Sequence, residues 1–235
     1  MGSLVLLRHG QSTYNATGQF TGWLDVPLTE LGRQQAINAG RCLAAAGITP
    51  DVVHTSLLSR AIGTADLALA EIGRSWIPVQ RSWRLNERHY GALTGRVKDV
   101  VRAEVGEQQY RIWRNSLLVA PPPMPAELLS TLRHDPRYAT LPAELVPATE
   151  SLGDVVDRLL PYWTDVLIPQ LRAGLAVFVV AHGNSLRALV SILDQLDQRD
   201  LTALRIPTGE PLHYRLSDSL RPVRRGGERI VAHAS

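Results

Sequence analysis

A chain of 235 residues with 45% hydrophobic and 20% charged side chains has ordinary globular usage, and at this size one α/β core buries about 70% of the unfolded surface, so a single domain over 1–235 is expected. The formal charge of +3 comes from scattered basic residues with only 6% aromatics, which excludes a nucleic-acid surface and points to small anionic ligands. No apolar run approaches the roughly 20 residues of a membrane span, Ser3 to Leu7 is too short for a signal-peptide core, and Cys42 is alone, so a cytoplasmic protein with a buried structural thiol, no disulfide and no membrane partner is expected.

Ser3 to Leu7 is a continuous apolar run and predicts a short buried strand, which ends at Arg8-His9-Gly10 and so places His9 at a strand's C-terminal end. Thr29 is the expected N-cap of a helix with Ala36, Ala39, Gly40 and Leu43 along one face, ended by Gly47 and Pro50. Asp51 to His54 reads as a second strand, Ser59 to Ala70 as a helix and Ile77 to Val79 as a third strand. This alternation predicts an α/β fold with a largely parallel sheet.

Ala120 to Pro147 is proline-rich with little periodicity, so a long excursion over the surface, a lid over 115–147, is expected. Val156, Leu159, Leu160, Trp163 and Leu167 make an apolar helix face, in which Pro161 predicts either a kink or a tight helix start. Ala176 to Ala181 is another apolar strand, running into His182-Gly183-Asn184-Ser185 and then a helical pattern from Leu186 to Leu196. A short C-terminal tail occupies 217–235.

In open parallel sheets the loops at the C-terminal ends of strands converge on the ligand crevice, and a His-Gly pair stands at two such ends, His9 and His182. Neither has the partners of a metal site, because the chain lacks a His-Glu-x-x-His pair, paired cysteines and an acidic cluster at ligand spacing. A neutral imidazole among cations can instead attack phosphorus, with guanidinium groups countering the charge on the equatorial oxygens. The candidate cations are Arg8, Arg60, Arg114 and Lys98, the sole lysine of a chain otherwise biased to arginine. Glu87, in Asn86-Glu87-Arg88-His89-Tyr90-Gly91, is the candidate for exchanging a proton with a substrate hydroxyl. His54, His89, His134, His213 and His233 have no spacing that demands catalysis and read as structural or surface residues, with His89 bordering the site.

Long stretches resemble the cofactor-dependent phosphoglycerate mutases: LVLLRHGQSTYN from Leu4, FTGWLD from Phe20, TSLLSRA from Thr55, WRLNERHYGALTG from Trp83, AHGNSLRAL from Ala181 and IPTG from Ile206. The resemblance runs from Leu4 to about Leu216. It implies a three-layer sandwich with helices on both faces of the sheet, a phosphohistidine at His9, Glu87 as proton donor and acceptor, and His182 assisting the transferring phosphoryl group. By the same matching Arg8, Asn15, Arg60 and His182 belong to a phosphate pocket. Ser12, Thr21, Gly22, Arg88, Tyr90, Lys98, Arg114, Asn115, Gly183 and Asn184 fall at its substrate contacts. The family interconverts 3-phosphoglycerate and 2-phosphoglycerate, uses 2,3-bisphosphoglycerate as primer and no metal, and many of its members are homodimers or homotetramers.

The chain departs from the pattern where Asn115 follows Arg114, since the family has two adjacent arginines there. Losing one charge-assisted hydrogen bond costs about 1.5 to 3 kcal/mol, and Arg96 is the expected substitute. Gln11, Tyr14 and Glu210 also stand where Glu, Trp and an aliphatic residue are common, and the tail after Arg224-Arg225-Gly226-Gly227 is short. A more open site favours water as acceptor, so a phosphatase, or a specialised mutase, acting on another small phosphorylated metabolite through the same His9 chemistry is the alternative. Retention of His9, Glu87 and His182 argues against a catalytically silent binding protein.

Overall fold

β1 (Gly2–Arg8) delivers the chain to His9-Gly10 and a short helix, α1 (Thr13–Ala16), whose cap is reciprocal: Asn15 N donates to Ser12 Oγ and Ser12 N donates to Asn15 Oδ1. α2 (Glu30–Ala45) is capped by Thr29, whose Oγ1 accepts from Gly32 N, and the chain leaves it through Gly47 at φ +65°. The structure, a computed structural model, describes residues 2–231. His233 and the last residues of the expected tail lie outside them. β2 (Val52–Thr55), α3 (Ser59–Glu71) and β3 (Val79–Arg81) follow. β3 shares only Val79 with the strand expected at Ile77–Val79, because Ile77 is buried in the core and Pro78, with no N–H, contributes only its carbonyl, to Val53 N.

α4 (Lys98–Asn115) bends at Gly106, which sits at φ +78°. α5 (Ala126–Arg133) lies inside the segment that lacks periodicity, and α6 (Leu152–Tyr162) starts behind Ser151, whose Oγ accepts from Asp154 N. Pro161 stays within α6. The ladder loosens after it into a π turn over Trp163–Leu167 and tightens again into α7 (Ile168–Arg172), the local adjustment expected where a proline withholds a donor. Leu160, expected on the buried face, is exposed, and Val155 takes its place in the core. β4 (Ala176–Ala181) leads into α8 (Gly183–Asp194), which begins three residues before the expected Leu186 and ends at Gln195 in the left-handed region. α9 (Gln198–Ala203), β5 (Pro211–Leu216) and β6 (Glu228–Arg229) complete the described chain.

The strands form one sheet in the order β3-β2-β4-β1-β5-β6. β1 to β4 are mutually parallel, while β5 runs antiparallel to β1 and β6 to β5. Successive side chains of a strand face opposite ways, so Leu4, Leu6, Val177 and Val179 join a core with α6, α7 and α8, and Val5, Leu7, Phe178 and Val180 join a second core with α2 and α3. Burial on both faces is why these strands are continuous apolar runs. This is the three-layer sandwich expected, with an antiparallel edge the sequence reading lacked.

The segment from 115 to 147 carries a small core of its own. Leu129, Tyr138 and Val146 are buried against Trp23, and backbone bonds from Ala92 N to Pro122 O and from Met124 N to Ala148 O tie it to the body of the molecule. Gly91 is required there, because a Cβ on it would lie 2.0 Å from Pro122 O.

Candidate active site

β1 and β4 are paired in register through Arg8 and Ala181, so the residues after them, His9 and His182, emerge at the same level of the sheet. Both are buried, and their ring centroids are 4.9 Å apart. His9 Nδ1 lies 2.7 Å from the carbonyl of Gly10, an acceptor only, so Nδ1 carries the proton and Nε2 presents a lone pair. Gly10 lets this loop touch the start of α2: a Cβ there would fall 2.1 Å from Gly32 O. His182 Nε2 is 2.7 Å from Ser56 Oγ. Burial foremost, then Arg60 and Arg8, holds the His9 pKa well below 6.5; burial, Arg60 and then His9 itself do the same to His182. Both imidazoles are therefore neutral at pH 7.

Glu87 is 8% exposed and its Oε1 collects donors from Arg88 N at 2.8 Å, Asn184 Nδ2 at 3.0 Å and Asn184 N, in the first turn of α8, at 3.1 Å. Oε2 is left toward Gly183, where an added Cβ would stand 3.6 Å from it and 3.6 Å from the Arg8 guanidinium. Gly183 thus lies between the Glu87 carboxyl and the Arg8 guanidinium.

His9 and Glu87 line one cavity of about 110 Å³ together with six cations, Arg8, Arg60, Lys98, Arg114, Arg187 and Arg205. Glu87 is the sole carboxylate among its lining residues, and none of the six cations takes part in an ion pair among the described residues. Arg60 is 1% exposed and donates to the carbonyls of Gly22 and Leu24, and burial pulls its pKa down to about 10. Arg8 Nη1 donates to Ile206 O, while its buried Nε has no partner. Lys98 opens α4, and burial followed by Arg114 and Arg8 lowers its pKa. Arg60 and Arg187 are buried, Arg8 and Lys98 partly so, and Arg114 and Arg205 are exposed at the mouth. Buried cations without a counter-charge are costly unless an anion joins them, so the arrangement is suited to a small, multiply charged anion.

The model of the histidine phosphatase superfamily, branch 1, matches residues 4–221. The chain is 57% identical over 235 residues to a 2,3-bisphosphoglycerate-dependent phosphoglycerate mutase of Thermobifida fusca, covering all of this chain and 95% of that one. It is 53% identical over 234 residues to the enzyme of that name from Mycobacterium tuberculosis, covering 100% and 93%. It belongs to the histidine phosphatase superfamily and, within it, to the phosphoglycerate mutase family. Among solved structures, a mycobacterial glucosyl-3-phosphoglycerate phosphatase superposes with a TM-score of 0.72 at 27% identity, covering the whole of both chains.

Of the residues matched to the mutase family by sequence, Arg8, His9, Asn15, Thr21, Arg60, Glu87, Tyr90, Lys98, Arg114, Asn115, Gly183 and Asn184 line this cavity. His182 is outside the lining, with its ring packed against that of His9. Ser12, Gly22 and Arg88 lie in the wall. Ser12 caps α1, Gly22 turns at φ +57° and offers its carbonyl to Arg60, and Arg88 donates to the carbonyls of Trp113 and Arg114 while stacking on Tyr90. Arg96 does not make good the missing guanidinium: it is ion-paired with Glu104 and lies outside the cavity lining. His89, expected to border the site, is buried behind it against Trp23.

Gln19, Phe20, Arg187, Leu204, Arg205 and Ile206 line the cavity and were not singled out by sequence. Arg187 follows Asn184 by three residues on α8, the helical spacing that brings its Nη1 to Asn184 Oδ1. A second omission is the buried pair Glu150–Arg158. Arg158 donates to Glu150 and to the carbonyls of Arg84, Asn86 and Glu87, fixing the backbone that carries the Glu87 carboxyl.

Proposed function

We propose that this chain interconverts 3-phosphoglycerate and 2-phosphoglycerate through a phosphohistidine at His9, primed by 2,3-bisphosphoglycerate. The observation that carries this reading is one nucleophilic imidazole and one carboxyl sharing a small cavity otherwise charged by six unpaired cations. The mutase relatives, more than 50% identical over the whole chain, support the same reaction, an isomerisation belonging to glycolysis and gluconeogenesis.

His9 Nε2 attacks the phosphorus of a bound phosphate ester. The N–P bond forms as the ester O–P bond breaks, and Arg8, Arg60 and neutral His182 face the charge spread over the equatorial oxygens. The departing oxygen takes its proton from Glu87. In the return step Glu87 removes the proton of the neighbouring hydroxyl, whose oxygen attacks the phosphohistidine and breaks the N–P bond. The cations and the partnerless Arg8 Nε fit a bisphosphorylated carboxylate, and 2,3-bisphosphoglycerate supplies the phosphoryl group that charges His9. Among the described residues no group of three His, Cys, Asp or Glu is placed to hold a metal ion.

A cytoplasmic homodimer or homotetramer accompanies this reading as the family's usual state. Among the described residues no helix is long and apolar enough to cross a membrane. Light scattering on the purified protein reads the assembly.

Phosphorus NMR of the protein with 3-phosphoglycerate and a trace of 2,3-bisphosphoglycerate tests the chemistry. Primer-dependent accumulation of 2-phosphoglycerate is expected. Inorganic phosphate as the sole product would replace the mutase by a hydrolase, the activity named for the structural relative at 27% identity.

A further inference from the structure

Asn115 ends α4 on the cavity wall where the mutase pattern has a second guanidinium, and Arg205 lines the same cavity. A groove walled by Ile112, Asn115 and Ser116 on one side and by Arg199, Thr202 and Ala203 on the other shows that the end of α4 faces α9. Arg205 follows α9 by two residues and precedes Ile206, whose carbonyl braces Arg8 beside the nucleophile.

Arg205 is held in place without being neutralised. Its Nη1 donates to the carbonyls of Thr202 at 2.7 Å and Leu204 at 2.9 Å, at the C-terminal end of α9, where a cation is favoured. The residue is exposed, and among the described residues its other nitrogens make no hydrogen bond and no ion pair. α9 is in turn tied to α8, because Arg187 donates through Nε and Nη2 to Leu201 O. Arg205 also depresses the Arg187 pKa, after burial and with Tyr90 opposing, so the two guanidinium groups feel each other across the rim.

We propose that Arg205 supplies the guanidinium absent at Asn115 and grips the anionic end of the substrate farthest from His9. The inference rests on the mutase reading and adds a specificity-determining residue to it. A planar guanidinium reached from the opposite wall, α9 instead of α4, can take a carboxylate or phosphate oxygen pair in the same cavity.

Calorimetric binding of two probes tests it in the wild type, in Arg205→Ala and in Arg205→Ala with Asn115→Arg. On this proposal 3-phosphoglycerate spans the cavity from His9 to Arg205, whereas inorganic phosphate needs only the His9 end, with Arg8 and Arg60. Arg205→Ala is expected to weaken 3-phosphoglycerate about tenfold to a hundredfold, as for a lost charge-assisted bond, and to leave inorganic phosphate unchanged. Adding Asn115→Arg should restore most of the loss, and Arg205→Lys should restore part. In turnover the single variant should raise KM far more than it lowers kcat. Unchanged 3-phosphoglycerate binding, an equal loss for both probes, or no restoration by Asn115→Arg would each overturn the proposal. Because binding is read without catalysis, a wild type that binds 3-phosphoglycerate but releases only inorganic phosphate would overturn the mutase reading and leave the assignment of Arg205 standing.

Discussion

The imidazoles of His9 and His182 face each other at 4.9 Å with their planes inclined by 60°. Two protonated rings at that distance would repel, and burial with Arg60 and Arg8 alongside already disfavours one. The His9 imidazole is therefore unprotonated at pH 6.5 and above. Rapid-quench phosphorylation of His9, corrected for the ionisation of the phosphate ester near pH 6, should stay flat as pH falls from 8 through 6.5. An inflection at the ordinary histidine value would contradict a desolvated nucleophile.

His9→Ala removes the atom that forms the N–P bond, so acid-labile phosphoprotein should vanish along with turnover. Glu87→Gln keeps one acceptor oxygen for Arg88 N and Asn184 but loses the ability to exchange a proton. Transfer to and from the hydroxyl should fall by about 10²- to 10⁴-fold, the usual contribution of a positioned acid or base. Loading of His9 should suffer less. Equal losses in the two half-reactions, followed separately by quench-flow, would remove Glu87 from the proton-transfer role.

The residues that meet in this site were legible to different depths. His9 and His182 could be read locally, since each follows an apolar parallel strand and strand ends converge. The tie between Glu87 and its surroundings could not, because Arg158 reaches it from 71 residues away and nothing in its own helix marks it as buried. α5 escaped notice for a different reason: its eight residues are hemmed by prolines, and only Leu129 is buried. Arg205 has no periodicity or motif of its own, and its place on the rim depends on how α9 packs on α8. Arg96 has the charge of a replacement cation, but Glu104, eight residues on, claims it, a pairing that sequence spacing alone does not mark.

Buried neutral histidines make the protein sensitive to acid. His54, held between Tyr162 and Gln170, and His89, against Trp23, both have their pKa values lowered to about 4, by burial first. The unfolded chain takes up these protons near pH 6.5, so stability is intact above that value and is lost as pH falls toward 4. At pH 5 each contributes a loss of about 2 kcal/mol. Urea midpoints measured from pH 7.5 to 4.5 should decline over this window, and His54→Gln should reduce the slope. A midpoint that stays level to pH 5 would be incompatible with these burials.

Glu150 and Arg158 are a buried ion pair at 2.6 Å, with side chains 4% and 7% exposed. Glu150 also accepts from His89 N at 2.7 Å, and Arg158 donates to Glu87 O at 3.1 Å, so the pair holds the backbone around Glu87. Replacing Arg158 with methionine strands a carboxylate in the interior, which costs about 3 to 5 kcal/mol. Pairing Arg158→Met with Glu150→Gln removes both charges and keeps an acceptor for His89 N, so much of that stability should return. Activity should not return with it. The carbonyls of Arg84, Asn86 and Glu87 still lack their donor, and hydroxyl transfer, which needs Glu87 in place, should remain slower than in the wild type while His9 loads normally. Denaturation curves and quench-flow on the same two variants separate stability from positioning. A double variant that regained full turnover with its stability would reduce this pair to a purely structural element.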